Sequence, residues 1–170
     1  GLPTALHFGV EQEPMGRLLL ERGADPNIRD EGDNAFPLHF AAERGDLAVV
    51  KLLVEHGAQT TAGEVDDHRL DVIGWATCFP GVAVKQDLVS YLLEHGARHT
   101  LFSAVATGDV EALRARAQER PPDLERPMDT VNRGRHALHL AVVKNQPRSL
   151  TALLELGADP NAVDASGVTP

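Results

Sequence analysis

The sequence predicts an all-α solenoid in which similar helix–loop–helix units stack one on the next. A segment of the form Leu-apolar-Glu-x-Gly-Ala occurs four times in the 170 residues, with its glycines at Gly23, Gly57, Gly96 and Gly157. A second element, Leu-His, places histidines at positions 7, 39 and 139, and the last two each precede the glycine of the same unit by 18 residues. Two elements that keep a fixed offset are hard to obtain by chance, so we expect units of one architecture.

The second unit shows why these residues favour a pair of helices. Pro37 suits a first helical turn, where its missing N–H is not needed, and Gly45 can end that helix in a left-handed conformation. A longer apolar stripe follows until Gly57. In the last unit Asn145 takes the place of the capping glycine, and Pro147 falls in the first turn of the next helix. The residues at helical spacing in the second unit are Leu38, Ala41 and Ala42 on the short helix and Val49, Val50, Leu52 and Leu53 on the long one.

Together these elements resemble the ankyrin repeat, whose signature is a Thr-Pro-Leu-His opening, an Ala-Ala-x-x-Gly middle and a Leu-Leu-x-x-Gly-Ala-Asp-x-Asn close. Residues 36–58 and 137–161 match that signature nearly throughout. The resemblance covers almost the whole chain. It implies an ankyrin-repeat solenoid whose helix pairs are joined by short β-hairpin fingers.

The middle of the chain departs from the 33-residue period in two places. The spacing from Gly57 to Gly96 is 39 residues, which predicts a longer finger and an inserted loop at 79–84, and Gly74 stands where the histidine is expected. One hairpin is missing near residues 97–99, so a notch or a change of curvature is predicted there. We therefore expect a single repeat array over residues 1–170, with approximate repeats at 1–33, 34–68, 69–98, 99–134 and 135–167 and the start of another at 168–170.

Composition restricts the classes of partner. The net charge of −9 disfavours nucleic acid, because a phosphate backbone would be repelled. The single cysteine, Cys78, excludes an internal disulfide and suits a reducing compartment. No run approaches 18 uninterrupted apolar residues and the N-terminus lacks the pattern of a signal peptide. We expect no membrane association, a cytoplasmic location and a monomer.

Chemistry-bearing residues give little support for catalysis, so we predict a protein that is not an enzyme. The signature histidines are expected to make structural hydrogen bonds. His95 and His99 are four residues apart, but Gly96 breaks any helix that would align them on a metal, and we predict no metal and no cofactor. Cys78 is expected to be a packed thiol, although pairing with His68 across the finger stays an open alternative.

Partner binding is the sharper hypothesis. Stacked units should present the short helices and the fingers on one concave surface whose side chains are not needed for stacking. We expect a protein or peptide partner, and we place Trp75 in the groove as a candidate hot spot. The predicted contact residues are Arg29, Glu31, Asp33 and Asn34 in the first finger, Phe40, Glu43 and Arg44 on the next short helix, Glu64, Asp66, Asp67, His68 and Arg69 in the following finger, and Trp75, Arg126, Asp129, Arg133, Arg135 and Lys144 further along.

Two other functions stay open at this point. Because the chain starts and stops inside repeats, it could be the regulatory or substrate-recruiting arm of a larger enzyme or effector. It could also be an inhibitor or immunity protein whose acidic finger, around residues 64–71, blocks the active site of a partner enzyme.

Overall fold

The chain is described by a computed structural model that covers residues 5–61, 69–128 and 133–170. These residues contain ten α-helices and one 3₁₀ helix, and they contain no β-strand. The α-helices are α1 (Ala5–Gly9), α2 (Glu13–Glu21), α3 (Pro37–Arg44), α4 (Leu47–Glu55), α5 (Val72–Thr77), α6 (Gln86–Glu94), α7 (Leu101–Thr107), α8 (Val110–Glu119), α9 (Ala137–Val143) and α10 (Pro147–Glu155). The 3₁₀ helix η1 (Pro121–Leu124) comes directly after α8.

Consecutive helices pack in pairs, and the pairs stack in two layers. The first helices of the pairs, α1, α3, α5, α7 and α9, contact one another in chain order. The second helices form a less continuous layer, because α2, α4 and α6 contact in sequence and α8 contacts α10, whereas α6 and α8 hardly touch. The all-α solenoid expected from the repeated segments is therefore confirmed.

Local sequence explains where the helices begin and end. Gly45 and Asn145 adopt positive φ values of 67° and 52°, as predicted for residues that stop a short helix and turn the chain. Asp46 caps α4 by accepting the N–H groups of Ala48 and Val49 at 3.1 and 3.2 Å. The tight turn between α3 and α4 results from a left-handed residue directly before a capping side chain.

Where the structure describes them, the fingers are turns and not two-stranded ladders. The first finger closes through the N–H of Asp30, which donates to the carbonyl of Ala35 at 3.0 Å. The finger after the last helix pair closes in the same way, from Asp164 to Val168 at 2.9 Å. The β-hairpins expected from the resemblance are thus reduced, in the described residues, to single backbone hydrogen bonds without assigned strands.

Apolar burial divides into two clusters. One is built from helices α1 to α6 and contains Leu38, Leu53 and Leu92, and the other runs from α5 to α10 and contains Phe102 and Leu153. Helix α5 contributes to both, because three of its side chains belong to the first cluster while its tryptophan belongs to the second. The array is therefore joined across its middle mainly by one short helix.

We predict that Leu153→Ala lowers the free energy of unfolding by about 2–5 kcal/mol, because Leu153 is 0% exposed and its removal leaves a cavity. The matched control is Leu154→Ala on the same helix, where the leucine is 44% exposed and a change within about 0.5 kcal/mol is expected. Urea unfolding detected by circular dichroism measures both. Equal destabilisation by the two substitutions would contradict the assigned burial.

Candidate partner-binding surface

The fingers are tied to the short helices by the signature histidines. His7 donates from Nε2 to the carbonyl of Ala35 at 3.2 Å, and His139 donates from Nε2 to the carbonyl of Val168 at 2.8 Å. The other nitrogen of His139 accepts the backbone N–H of His136 at 3.2 Å, so one ring both caps its own helix and fixes the finger of the next unit. The structural role predicted for these histidines is confirmed.

A carboxylate organises the inside of each of these fingers. Asp30 accepts the N–H groups of Gly32, Asp33 and Ala35 at 2.9, 3.0 and 2.8 Å. Burial alone would raise the pKa of Asp30, but the three donors outweigh burial and the pKa is lowered. Asp164 accepts the N–H of Val168 at 3.0 Å, which is the main cause of its lowered pKa. Both turns are therefore held in one conformation by an ionised side chain.

His39 departs from this arrangement. Its Nδ1 accepts the N–H of Phe36 at 3.1 Å, but its Nε2 is buried and has no hydrogen-bond partner in the described part of the chain. Burial, and to a smaller extent the positive charge of Arg29, lowers the pKa of His39 to about 4. The ring is neutral near pH 7 and lies against Trp75, with 5.4 Å between the ring centroids.

Where the histidine of the signature is absent, a residue at the start of the helix supplies the cap. Asp71 accepts the N–H of Gly74 at 2.7 Å, and a Cβ on Gly74 would lie 2.8 Å from the Asp71 carboxylate and 3.0 Å from Leu70. No side chain fits at position 74 as long as Asp71 occupies this place. In α7 the hydroxyl of Ser103 accepts the N–H of Thr100 at 2.9 Å, which is the same bond that histidine makes elsewhere.

Only some of the side chains predicted to contact a partner are exposed in the structure. Among the predicted contact residues, Glu31, Arg44, Arg69 and Arg133 are exposed, whereas Arg29, Asp33, Asn34, Phe40, Glu43, Arg126, Arg135 and Lys144 are partly buried. Trp75 is buried. The remaining predicted residues, Glu64, Asp66, Asp67, His68 and Asp129, lie outside the described residues.

The first finger and the helix after it form one continuous part of this surface. The guanidinium of Arg29 lies 4.7 Å from the centre of the Phe36 ring and donates to the carbonyl of Asn34 at 3.4 Å. Arg44, at the end of α3, donates to the carbonyl of Glu11 in the preceding unit at 3.4 Å. Side chains from two neighbouring units therefore meet at the end of α3.

Trp75 does not lean into a groove as predicted. The indole is 2% exposed and packs edge-on against Phe40 and Phe79, with centroid distances of 5.2 and 5.1 Å. The physical reason is that a ring of this size gains more by burial between two apolar clusters than by exposure beside Gly74. Trp75 is corrected from a contact residue to a core residue.

Three of the cations predicted to face a partner make internal contacts. Lys144 donates to the carbonyls of Phe79 and Val82 at 3.1 and 2.8 Å, and burial lowers its pKa. These bonds hold the inserted loop between α5 and α6, so Lys144 is corrected to a structural residue. Arg126 lies 5.2 Å from the Phe102 ring centre, and Arg135 lies 3.9 Å from Asp164.

The structure also shows a cleft whose residues the sequence pattern did not indicate. It has a volume of about 460 Å³, and its lining includes Thr60, Arg98, Arg116 and Arg120. It lies at the shortened junction between α6 and α7, where a missing hairpin was predicted. The absent finger was the available signal in the sequence, but it did not indicate which side chains border the space.

The remaining chemistry-bearing residues have packing roles. Cys78 is buried and lies 3.6 Å from the hydroxyl of Thr77. His95 stacks on Tyr91 with 3.9 Å between the ring centroids, and the Nδ1 of His99 is hydrogen-bonded to the hydroxyl of Ser103 at 3.1 Å. Within residues 5–61, 69–128 and 133–170, no helix is long and apolar enough to cross a bilayer.

Stacked helix pairs with finger turns define a repeat protein of the solenoid class. The family model for ankyrin repeats, in three copies, matches residues 5–103, and a single ankyrin repeat matches residues 133–165. The chain belongs to the ankyrin-repeat family. The helix pair α7–α8 lies largely between the two matches, which agrees with the loss of the finger before it. Ankyrin repeats are protein–protein interaction modules.

Individual relatives are similar over different parts of the chain. The potassium channel AKT1 of Arabidopsis thaliana is 33% identical over 172 aligned residues, which cover 99% of this chain and 20% of the channel. An ankyrin repeat protein of Rickettsia felis is 34% identical over 88 residues, or 45% of this chain and 35% of that protein. The human protein fem-1 homolog A is 38% identical over 74 residues, or 35% of this chain and 11% of that protein. The chain spans about a third or less of the length of each.

We predict that stability decreases as the pH falls from 6.5 to about 4. The pKa of His39 in the folded chain is about 4 against an ordinary value of 6.5, so the unfolded chain takes up a proton first as the pH falls. This group alone lowers the free energy of unfolding by about 3 kcal/mol over that interval, with no further loss below it. His7 and His99, whose pKa values are also lowered by burial, act in the same direction.

Urea unfolding at pH 7 and pH 4.5 measures this loss. His39→Gln keeps an acceptor for the N–H of Phe36 and should show a smaller loss than the wild type. His56→Gln, at an exposed histidine, should show the loss of the wild type. The assignment is wrong if the two variants respond to pH in the same way, or if the imidazole of His39 titrates near 6.5 in NMR spectra.

Proposed function

We propose that the chain is a non-catalytic protein-binding module that presents a rigid surface, made of short helices and fingers, to a protein or peptide partner. One observation carries this proposal: the histidine–carbonyl and aspartate–backbone bonds hold the finger turns in place while side chains such as Glu31, Arg44 and Arg69 remain exposed. These exposed side chains lie outside both apolar clusters, so they are not needed for packing and are available to contact a partner.

A surface of this kind favours binding because little ordering is required on association. The turn from Asp30 to Ala35 is held by three bonds to one carboxylate, and its end is held by His7. Immobilising a free side chain or loop on binding costs about 0.5–1.5 kcal/mol for each rotamer-rich side chain. A preformed finger avoids part of that cost, so more of the contact energy is available as affinity.

Like Arg133, which is also exposed with a φ of 57°, Arg69 is an exposed residue whose conformation supports a contact role. It has a φ of 57°, in the left-handed region that side chains rarely adopt. At the same position, three residues before the first residue of a short helix, the other fingers have Asn34, with a φ of 55°, and Gly134, with a φ of 60°. An arginine at a position where asparagine or glycine is less strained suggests that its side chain is needed.

The second candidate is that the module recruits substrates or regulates a larger protein. It is favoured by the alignment of nearly this whole chain with one fifth of a potassium channel. In that case the same surface binds either a separate regulator or another part of its own polypeptide. The two candidates share the recognition step and differ only in what is attached to the module.

We predict that Arg69→Gly leaves the free energy of unfolding unchanged or raises it by up to about 1 kcal/mol, because glycine relieves the left-handed strain. The matched control is Lys51→Gly, at an exposed lysine in the middle of α4, which should lose about 1 kcal/mol because glycine weakens a helix interior. Urea unfolding measures both. A loss at position 69 equal to that at position 51 would argue against strain at Arg69.

The binding proposal is tested by affinity capture with the intact chain, and mass spectrometry and titration then identify and measure each captured protein. The variant carrying Glu31→Lys, Arg44→Glu and Arg69→Gly should recover a specific partner at least about tenfold less than the wild type, with the same helical circular dichroism signal. Arg148→Gln, which lowers the net charge by one as the triple variant does, serves as the charge-matched control. Equal recovery by all three proteins would refute this surface, and turnover of a small molecule by the purified chain would refute the non-catalytic assignment.

A further inference from the structure

The junction between α6 and α7 lacks a finger and opens a cleft. Only residues 95–100 connect these helices, whereas residues 22–36 connect α2 to α3. The helices of the second layer also separate here, since α6 and α8 hardly touch. The cleft of about 460 Å³ lies between the start of the preceding finger, at Thr60 and Thr61, and the C-terminal end of α8, at Arg116 and Arg120. A pocket of this size is within the range that holds a ligand or a peptide side chain.

The cleft is bordered by positive charge in a protein whose net charge is −9. Arg98 lies on its border, is exposed, and makes no hydrogen bond or ion pair within the described residues. Arg116 pairs with Glu119 at 2.9 Å and keeps 28% of its side chain exposed, and Arg120 keeps 57% exposed. Three guanidinium groups therefore border one opening.

The acidic groups of the lining are already engaged. Asp123 is buried and lies 3.4 Å from Arg120 and 3.6 Å from Arg126. Asp71 is buried and caps α5 through a backbone N–H. His99 is buried, and burial lowers its pKa, so it adds no charge near pH 7. The charge left for a ligand is carried mainly by Arg98, with Arg116 and Arg120 beside it.

We infer that this cleft binds an acidic side chain of a partner peptide, with Arg98 as its principal cation. Guanidinium groups form strong, charge-assisted and often bidentate hydrogen bonds with carboxylates. A single carboxylate matches three arginines that are partly neutralised. A nucleic acid would bring a whole run of phosphates against a protein of net charge −9 and would be repelled far more strongly. The inference rests on the proposed function and adds the chemistry of the partner and a second place where it binds.

The experiment selects peptides from a random display library on the intact chain and measures the selected peptides, labelled with fluorescein, by fluorescence anisotropy. The selected sequences should be enriched in aspartate and glutamate. Arg98→Glu should weaken their binding at least about tenfold, and Arg98→Lys should weaken it less, because lysine keeps the charge but not the bidentate geometry. The matched control is Arg148→Glu, which reverses an exposed arginine outside the cleft and should change affinity less than about twofold.

Three results overturn the inference: no enrichment in acidic residues, equal affinity of the Arg98→Glu and Arg148→Glu variants, or displacement of the peptide by millimolar inorganic phosphate, which would reassign the cleft to phosphate. Arg98 is exposed and unpaired in the described residues, so its substitution should leave the thermal unfolding midpoint unchanged. A loss of peptide affinity in this variant therefore reports on binding and not on folding. Peptides whose affinity is unchanged by Arg98→Glu but is abolished by the Glu31, Arg44 and Arg69 substitutions would refute only the assignment of binding to the cleft. Such peptides would leave the protein-binding function standing.

Discussion

The structure depends on side chains that accept the backbone N–H of the residue directly before a short helix, an arrangement that α3, α7 and α9 share. His39, His139 and Ser103 each accept the N–H of the residue directly before their helix. Leaving such a buried donor unpaired costs about 1–3 kcal/mol, so the acceptor is strongly required. Histidine differs from serine in having a second nitrogen on the far side of the ring, and in His7 and His139 that nitrogen reaches the adjoining finger. The group that starts a helix therefore also orients the surface beside it.

Helix α5 shows the consequence of replacing the capping histidine by another residue. Asp71 caps the helix and leaves no room for a side chain at Gly74, so the start of α5 is satisfied without any group that reaches onward to a finger. In the preceding helix His39 keeps its capping bond, but its Nε2 has no partner in the described residues. The middle of the array compensates for these missing tethers by apolar packing, because Trp75 packs against Phe40 and Phe79 and α5 belongs to both core clusters.

The sequence predicts most reliably the features that are decided within one unit. The left-handed turns at Gly45 and Asn145 and the capping histidines depend on residues at most a few positions apart, so the pattern of residues specifies them. The environments of Trp75 and Lys144 depend on other units: Lys144 binds the carbonyl of Phe79, 65 residues away. The residues next to Lys144 in the sequence do not show whether a lysine binds the carbonyls of a distant loop or faces a partner. The surface could thus be located by sequence, but its individual members could not.

The shortened junction shows that a finger and a helix pair are separable. Thr100 and Ser103 cap α7, and Asp109 caps α8 through the N–H of Ala112 at 2.9 Å, so this pair keeps its local start signals without a finger before it. The apolar residues of α7, including Phe102, are buried, and so is Leu113 of α8. Losing the finger therefore removes surface and not core. The opening beside the C-terminal end of α8 is bordered by Arg116, Arg120 and the buried Asp123 of η1 rather than by apolar side chains, which keeps it polar and charged. The loss of a finger therefore changes the surface that the array offers to a partner, while the helix caps and the apolar core that make the array fold stay in place.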